Sequence, residues 1–418
     1  MKFGRPPAVC GRCQWAASSV RALPGGGVLV YRWGMAAGKS FDCIIIGGGI
    51  VGLAHALAAS RAGLRVAVVE RNARAIDASI RNFGFITITG QQAGITWRRA
   101  LRARDVWADL LARAGIDLHH RGLLVAARRK EALAVLEEFA AGPMGAGCRV
   151  LGRAEIAAGG PALRDDLLGA LHSPHELRVE SREAVGQLTA FLAAQGVTFL
   201  NRVAAQAVAE GLVETSVGTL FAPHIVVCPG TDLATLFPDI LARRQITLCK
   251  LHMMRVADPG WRLPGAVMSD LGLVRYLGYA GCASLPALEM RLRDEQPQEL
   301  ADGVHLIVVQ GSDGSLVVGD SHHYSDAPDP FQPAAVDALI LGELSAVLNL
   351  PAPRVVERWV GVYPSGPEVC FTEAPLSGVR LVLVTSGTGA STAFGLAEET
   401  IADMLGLPQP AHAVGAMG

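Results

Sequence analysis

The sequence predicts a mixed α/β fold in which a parallel strand–helix unit is interleaved with a second, mainly antiparallel sheet. Three observations predict it. An apolar run, Cys43-Ile44-Ile45-Ile46, leads through Gly47, Gly49 and Gly52 into an Ala-rich helical stretch. A second strand, Gly-containing loop and helix close the chain over 379–405. Between these ends, 246–320 carries several short strand-like runs. Loops of one kind at both ends imply that one domain is assembled from separated segments.

The opening unit carries the most chemistry. Residues 43–46 are apolar and mostly β-branched, as in a strand buried on both faces. Gly47, Gly49 and Gly52 have G-x-G-x-x-G spacing, 53–62 has the period of a helix, and Gly63 stops it. A second apolar strand, 65–69, ends on Glu70. This is the pattern of a Rossmann-like dinucleotide unit. Gly47 permits the tight turn, Gly49 lets a pyrophosphate approach the backbone, and Gly52 lets helix and strand pack closely. The helix N-terminus offers free N–H groups and a partial positive charge to phosphate. Glu70 follows Gly52 by 18 residues, where an acidic side chain can accept hydrogen bonds from a ribose diol.

The remaining elements follow in order. After a polar stretch, Ser79-Ile80-Arg81-Asn82-Phe83-Gly84-Phe85 occupies a position where chain can pass over a cofactor. The periodicity of 94–114 predicts an amphipathic helix. A strand at 123–126 and a helix at 130–141 come next, then a short helix at 153–156 and a loop at 161–170. Helix 182–194 and strand 197–203 make a second α/β unit, and Gly211 and Gly218 punctuate a small antiparallel meander over 206–222. Strand 225–228 ends at Pro229-Gly230, a turn that can face a ligand. Strands are expected at 246–256, 272–279, 305–309 and 316–319, a helix at 333–348, and a strand at 355–363. Finally, strand 379–385 feeds Ser386-Gly387-Thr388-Gly389-Ala390-Ser391-Thr392 and a helix to 405, whose N-terminus can stabilise a second negative centre.

Composition narrows the function classes. The chain has 418 residues, 50% of them hydrophobic and 18% charged, which fits a globular protein of two domains. A net charge of -1 gives no electrostatic reason to expect nucleic acid or an anionic membrane as partner. No apolar run is long enough to span a bilayer. Cys43, Cys228 and Cys249 lie in apolar runs, as small buried residues do in a reducing cytosol, so a cytoplasmic location is expected. Cys10 and Cys13 form a lone CxxC without a companion pair, so no metal site is expected. Residues 1–34, with Pro6, Pro7, Pro24 and Gly25-Gly26-Gly27, are expected to form a loose N-terminal extension without a secretory signal.

Taken together, these segments resemble the flavoprotein family of D-amino acid oxidase, glycine oxidase and monomeric sarcosine oxidase over about 41–407. Within it the chain is similar to FAD-dependent oxidoreductases associated with phosphonate catabolism, which oxidise 2-aminoethylphosphonate carrying an N-alkyl group. The carrying segments are SIRNFG at 79–84, KLHMMR at 250–255, GDSHHY at 319–324, ERWVGVYP at 357–364 and TSGTGASTAFGLAEE at 385–399. The resemblance implies a Rossmann-like FAD-binding domain (40–90, 175–245 and 370–407) interleaved with a mainly antiparallel-sheet substrate domain (91–174 and 246–369). FAD would lie extended, its ADP half held by Gly47, Gly49, Gly52, Glu70 and Arg71, with Val203 meeting the adenine through its backbone. Ser79, Asn82 and Gly84 would lie near the isoalloxazine, Gly387, Gly389 and Ser391 would cap its pyrimidine end, and Gly230 joins the cofactor set. Two departures stand out. Cys370-Phe371-Thr372 matches poorly the Cys-Met-Tyr context in which sarcosine oxidases attach FAD. Leu251-His252 stands where relatives often have Gly-Gln.

Flavin-dependent amine oxidation depends chiefly on orientation, so no catalytic dyad is assigned from sequence. Binding groups are the better candidates. A phosphonate is a dianion that suits the planar fork of arginine, which points to Arg81, Arg275 and Arg358, with His252, Tyr276, His322 and His323 beside them. Lys250, in an apolar run, either supports oxygen activation or pairs structurally. The expected partners are a small amine and O2 or another electron acceptor. A glycine, sarcosine or D-amino acid oxidase taking a carboxylate is the alternative, and a non-catalytic flavin-binding assembly factor is a further one.

Overall fold

The computed structural model describes residues 40–413. The N-terminal extension and its Cys10–Cys13 pair lie outside the described residues. One continuous 15-stranded sheet organises the chain. At one end five strands run parallel, in the order Val379–Ser386, His224–Val227, Cys43–Ile46, Val66–Glu70 and Thr198–Asn201. Cys43–Ile46 and Val66–Glu70 are buried along their whole length. Their β-branched side chains fill both faces of a covered sheet.

The helix Ile50–Arg61 covers this end and is buried around most of its circumference. Small alanines make that possible, because two further helices, Ser181–Ala194 and Gly389–Met404, pack on it. Gly389–Met404 packs in turn on Ile95–Arg113 at Gly395, where a Cβ would come 2.9 Å from the Arg99 Cα. Trp107 donates its indole N–H to the Ala390 carbonyl at 2.8 Å and meets Phe394 edge-on. Ile95–Arg113, grouped by sequence with the substrate segments, therefore shares its core with the dinucleotide unit.

The other end of the sheet is mainly antiparallel. Thr247–Val256 pairs with Leu316–Gly319, His323–Ser325 and Val355–Glu373. One parallel pairing, Ala266–Met268 with Leu118–Ala127, interrupts the pattern. The strand expected at 355–363 continues to Glu373 and is 19 residues long. Its first part pairs with Thr247–Val256 and its last part with Val379–Ser386, so it belongs to both ends. The register shifts between Ser365 and Cys370, where Pro367 has no N–H to donate. The meander forms a separate three-stranded sheet, Ala205–Ala209, Leu212–Thr215 and Gly218–Phe221.

Two expectations are corrected. The strand expected at 272–279 is instead a pair of 3₁₀ turns, Asp270–Val274 and Leu277–Tyr279. Gly278 lies against Gly90, donating its N–H to the Gly90 carbonyl at 2.9 Å, and a Cβ there would come 2.6 Å from the Gly90 carbonyl carbon. That close backbone approach, not local propensity, sets the conformation. The loop expected at 161–170 runs into a strand, Gly169–Val179. Polar residues obscured its pattern, yet Glu176 and Arg178 are buried because they are partnered. Glu176 accepts the Thr89 N–H at 2.8 Å, and Arg178 pairs with Glu180 at 2.9 Å.

Candidate active site

The two glycine loops meet at one cavity of about 440 Å³. Gly49, Ile50 and Gly52 line it from the first helix, and Gly387, Gly389 and Ser391 from the last. Two helix N-termini thus border the same space, each with the partial positive charge of its peptide dipoles. Two positions in the first loop admit only glycine. Gly47 has φ +105°, and a Cβ would fall 2.3 Å from the Cys228 carbonyl oxygen. A Cβ on Gly52 would fall 1.9 Å from the Gly47 carbonyl oxygen. The buried Glu70 carboxylate accepts the N–H groups of Gly48 and Asn72 at 2.9 and 2.8 Å. Each of its oxygens keeps acceptor capacity for a diol.

Other residues of the expected cofactor set fall in different places. Ser79 lines the cavity, and its hydroxyl accepts the Ile50 N–H at 2.9 Å at the first helix N-terminus. Asn82 lines the cavity and braces its own loop, donating to the Ala78 carbonyl and accepting the Gly84 N–H, both at 2.7 Å. Gly84 does not line the cavity. It has φ +66° and abuts the Val179 carbonyl, so its task is to shape the chain entering Phe85–Ile86. Arg71 pairs with Asp232 at 2.9 Å, and the Val203 N–H donates to the Glu70 carbonyl at 3.0 Å. Gly230 lines the cavity with φ +57°. Gly387 packs on the Tyr363 ring, and the Ser391 hydroxyl accepts the Thr87 N–H at 3.0 Å. Cys370 does not line the cavity. Its sulfur accepts a hydrogen bond from Arg99 at 3.1 Å.

The substrate candidates divide sharply. Arg81, Arg275, Tyr276 and His322 line the cavity, whereas His252, His323 and Arg358 do not. Strand alternation explains part of this. Leu251 lines the cavity, so its neighbours Lys250 and His252 point to the other face. Lys250 bonds Asp329 at 2.9 Å and the Phe331 carbonyl at 3.1 Å, which is structural pairing. His252 and Arg358 both hold Asp337, at 3.2 and 2.8 Å. His323 lies against the His252 ring and bonds Ser321 at 3.1 Å. Arg81 reaches the cavity but bonds the Ile76 carbonyl at 2.7 Å, with Asp77 nearby.

Arg275 has no carboxylate partner among the described residues and donates to the Tyr324 hydroxyl at 2.9 Å. Burial pulls its pKa down, but Tyr363, Tyr324 and Asp320 outweigh that and keep it charged. Asp320 and His305 complete this wall. Burial raises the Asp320 carboxyl to about 8, against the opposing pull of Arg275. Burial, and secondarily Arg275, drives His305 and His322 well below the usual histidine range. Asp320, His305, Tyr324 and Tyr363 were not singled out from sequence. Asp320 and Tyr324 nevertheless lie inside the 319–324 segment and Tyr363 inside 357–364, so the signal was in segments already noted.

A family profile described as FAD dependent oxidoreductase matches residues 42–403. The chain belongs to this family. No curated protein matches this FAD-dependent oxidoreductase in sequence. Solved structures show the same fold. Glycine oxidase from Geobacillus kaustophilus is 19% identical, with a TM-score of 0.71 over 89% of this chain and 96% of that one. L-proline dehydrogenase from P. horikoshii is 16% identical, with a TM-score of 0.73 over 90% and 96%. Iminodiacetate oxidase from Chelativorans sp. BNC1 is 18% identical, with a TM-score of 0.65 over 88% and 96%.

The residues present fit FAD. The glycine cradle has no room for Cβ atoms at Gly47 and Gly52, a carboxylate stands at the end of the second strand, and two helix N-termini flank the cavity. In the same cavity, ligand atoms of His305, Asp320 and His322 lie within 4.8 Å of one another, close enough to surround a small cation. Among the described residues, no helix is long and apolar enough to cross a membrane.

Proposed function

We propose that this FAD-dependent oxidoreductase oxidises the C–N bond of a small aminophosphonate, N-alkylated 2-aminoethylphosphonate, to an imine. Water would convert the imine to phosphonoacetaldehyde and the released amine. FAD supplies the two-electron acceptor. The protein's part is to bind, orient and control protons. The observation that carries the reading is Arg275, a charged guanidinium in the cavity wall beside Tyr324 and Tyr363. Its planar fork matches phosphonate oxygens, and the two phenols are further donors. The neighbours named glycine oxidase and iminodiacetate oxidase support an amine as the group oxidised. A cavity of this size beside both glycine loops speaks against the non-catalytic alternative.

One observation favours a second reading. Arg358 is tied to Asp337 outside the cavity and Arg81 is anchored to Ile76, which leaves Arg275, of these three arginines, as the one in the cavity bonded only to a phenol. A single fork also suits a carboxylate, so glycine, sarcosine or a D-amino acid is the competing substrate class. Anaerobic flavin bleaching decides between them. N-methyl-2-aminoethylphosphonate should bleach the flavin much faster than sarcosine, glycine or D-alanine, and the reverse order replaces the phosphonate by a carboxylate. The same reading divides the chain into a cofactor domain (40–90, 175–245 and 370–407) and a substrate domain (91–174 and 246–369). The change across Val379–Ser386, antiparallel to Val355–Glu373 on one side and parallel to His224–Val227 on the other, supports the division, with Ile95–Arg113 packed on the cofactor side.

A further inference from the structure

Arg275 provides for an anion, but it leaves Asp320 unexplained. Asp320 is 4% exposed, lines the cavity and sits between His305 and His322, whose rings are 5.0 Å apart. The His322 Nδ1 lies 2.9 Å from the Gly303 carbonyl, which can only accept, so Nδ1 carries the proton. With His322 neutral, its Nε2 presents a lone pair, 3.8 Å from Asp320 Oδ2. On the other side, His305 Nδ1 is 3.1 Å from Asp320 Oδ1 without hydrogen-bonding geometry, and both buried atoms are without a partner. Buried polar atoms left without a partner are costly until a ligand group enters to pair with them.

Two occupants suit such a cluster, a metal dication or an ammonium group. Charge separates them. Arg275 is fixed positive in the same cavity, and a dication would add to that charge where water is scarce. A zwitterion instead supplies an anion to Arg275 and a cation to Asp320, so each buried charge gains a partner of opposite sign. We infer that Asp320, with the His322 lone pair, docks the ammonium group of the substrate and accepts one of its protons. In that step an N–H bond breaks, its electron pair stays on nitrogen, and the proton joins a carboxylate oxygen. The amine is left neutral, as its oxidation requires. The charged and titratable groups around Asp320 are Arg275, Tyr276, His305 and His322, with Cys249 and Tyr363 beyond them. The upward shift of the Asp320 carboxyl to about 8 suits a proton acceptor for an amine.

The inference rests on the amine-oxidation reading but not on the phosphonate, and the test separates the two. Binding to the FAD holoenzyme is measured for two isosteric pairs by perturbation of the flavin spectrum. N-methyl-2-aminoethylphosphonate is compared with butylphosphonate, and sarcosine with butyrate. In the wild type the amine should bind about tenfold or more tightly than its isostere in whichever pair binds. Asp320→Asn should bring that ratio close to one while the flavin band is retained. A ratio confined to the sarcosine pair overturns the phosphonate and leaves the Asp320 role standing. A wild-type ratio near one overturns the role, as does an Asp320→Asn enzyme that keeps its flavin and its ratio. If Asp320→Asn loses its flavin, the wild-type ratio alone decides. Stoichiometric Zn²⁺ binding to the wild type, abolished by Asp320→Asn, also overturns the inference in favour of a metal.

Discussion

The two ends of the cavity are built from different material. The cofactor end is backbone: turns at Gly47 and Gly52, two helix N-termini, and a Glu70 carboxylate already bonded to the loop it supports. The substrate end is side chains: Arg275, Asp320, two neutral histidines and three tyrosines, carried by strands and a 3₁₀ turn. The first end tolerates no added atom, because backbone cannot step aside. The second tolerates altered packing but not the loss of a charge, because each charge there has few partners.

The largest effect should therefore come from one methyl group at the cofactor end. Gly47→Ala meets both a φ of +105° and a carbonyl oxygen 2.3 Å away. It should cost about 3 kcal/mol or more and yield protein without a flavin absorbance band. Bound FAD at wild-type occupancy would show that the turn can relax. Arg275→Ala comes next, with a loss of about 2–4 kcal/mol in transition-state binding, or roughly 30- to 1000-fold in kcat/KM. Its flavin content should be unchanged. Arg275→Lys should recover only part of the rate, since a point charge lacks the bidentate fork.

A subtler contrast is electrostatic. The Asp320 carboxyl is raised from 3.8 to about 8 in the folded protein, so the folded state holds a proton that the unfolded chain releases. Stability from this group is complete below pH 4 and is lost as pH rises towards 8, by at most about 1.4 kcal/mol per pH unit. Asp320→Asn removes that dependence. Its melting temperature relative to wild type should climb between pH 5 and 8, and a flat difference would mean the carboxyl is already ionised at pH 5. Smallest of all should be Arg358→Ala. This half-exposed side chain bonds Asp337 outside the cavity. Turnover should stay within about twofold of wild type, and a large loss would return Arg358 to the substrate site.

The same contrast governs what could be read from the sequence. The cofactor end was legible because its requirements are local: a glycine spacing, a β-branched run before it, and an acid after the second strand. Helices such as Lys130–Ala141 and Ala334–Val347 were legible by their period. The substrate end was not, because its geometry is set by contacts distant in sequence. Gly278 is bent by Gly90, and Asp320 gains its character from burial, against the pull of Arg275. Arg358 and His252 had the right chemistry but the wrong face of their strands. Gly84 was recognised as special, yet what it avoids is the Val179 carbonyl and not a flavin.

The strand Val379–Ser386 and the helix Gly389–Met404 close the cofactor end against elements that precede them by more than a hundred residues. During synthesis the ribosome therefore releases the glycine cradle long before its last wall exists. Until then His224–Val227 is a sheet edge with unpaired backbone groups, and the apolar face of Ile50–Arg61 is open to water. Such an edge invites pairing with another chain. The cofactor cannot scaffold early folding here, and a nascent chain stalled before residue 379 should be a client of chaperones and prone to aggregation.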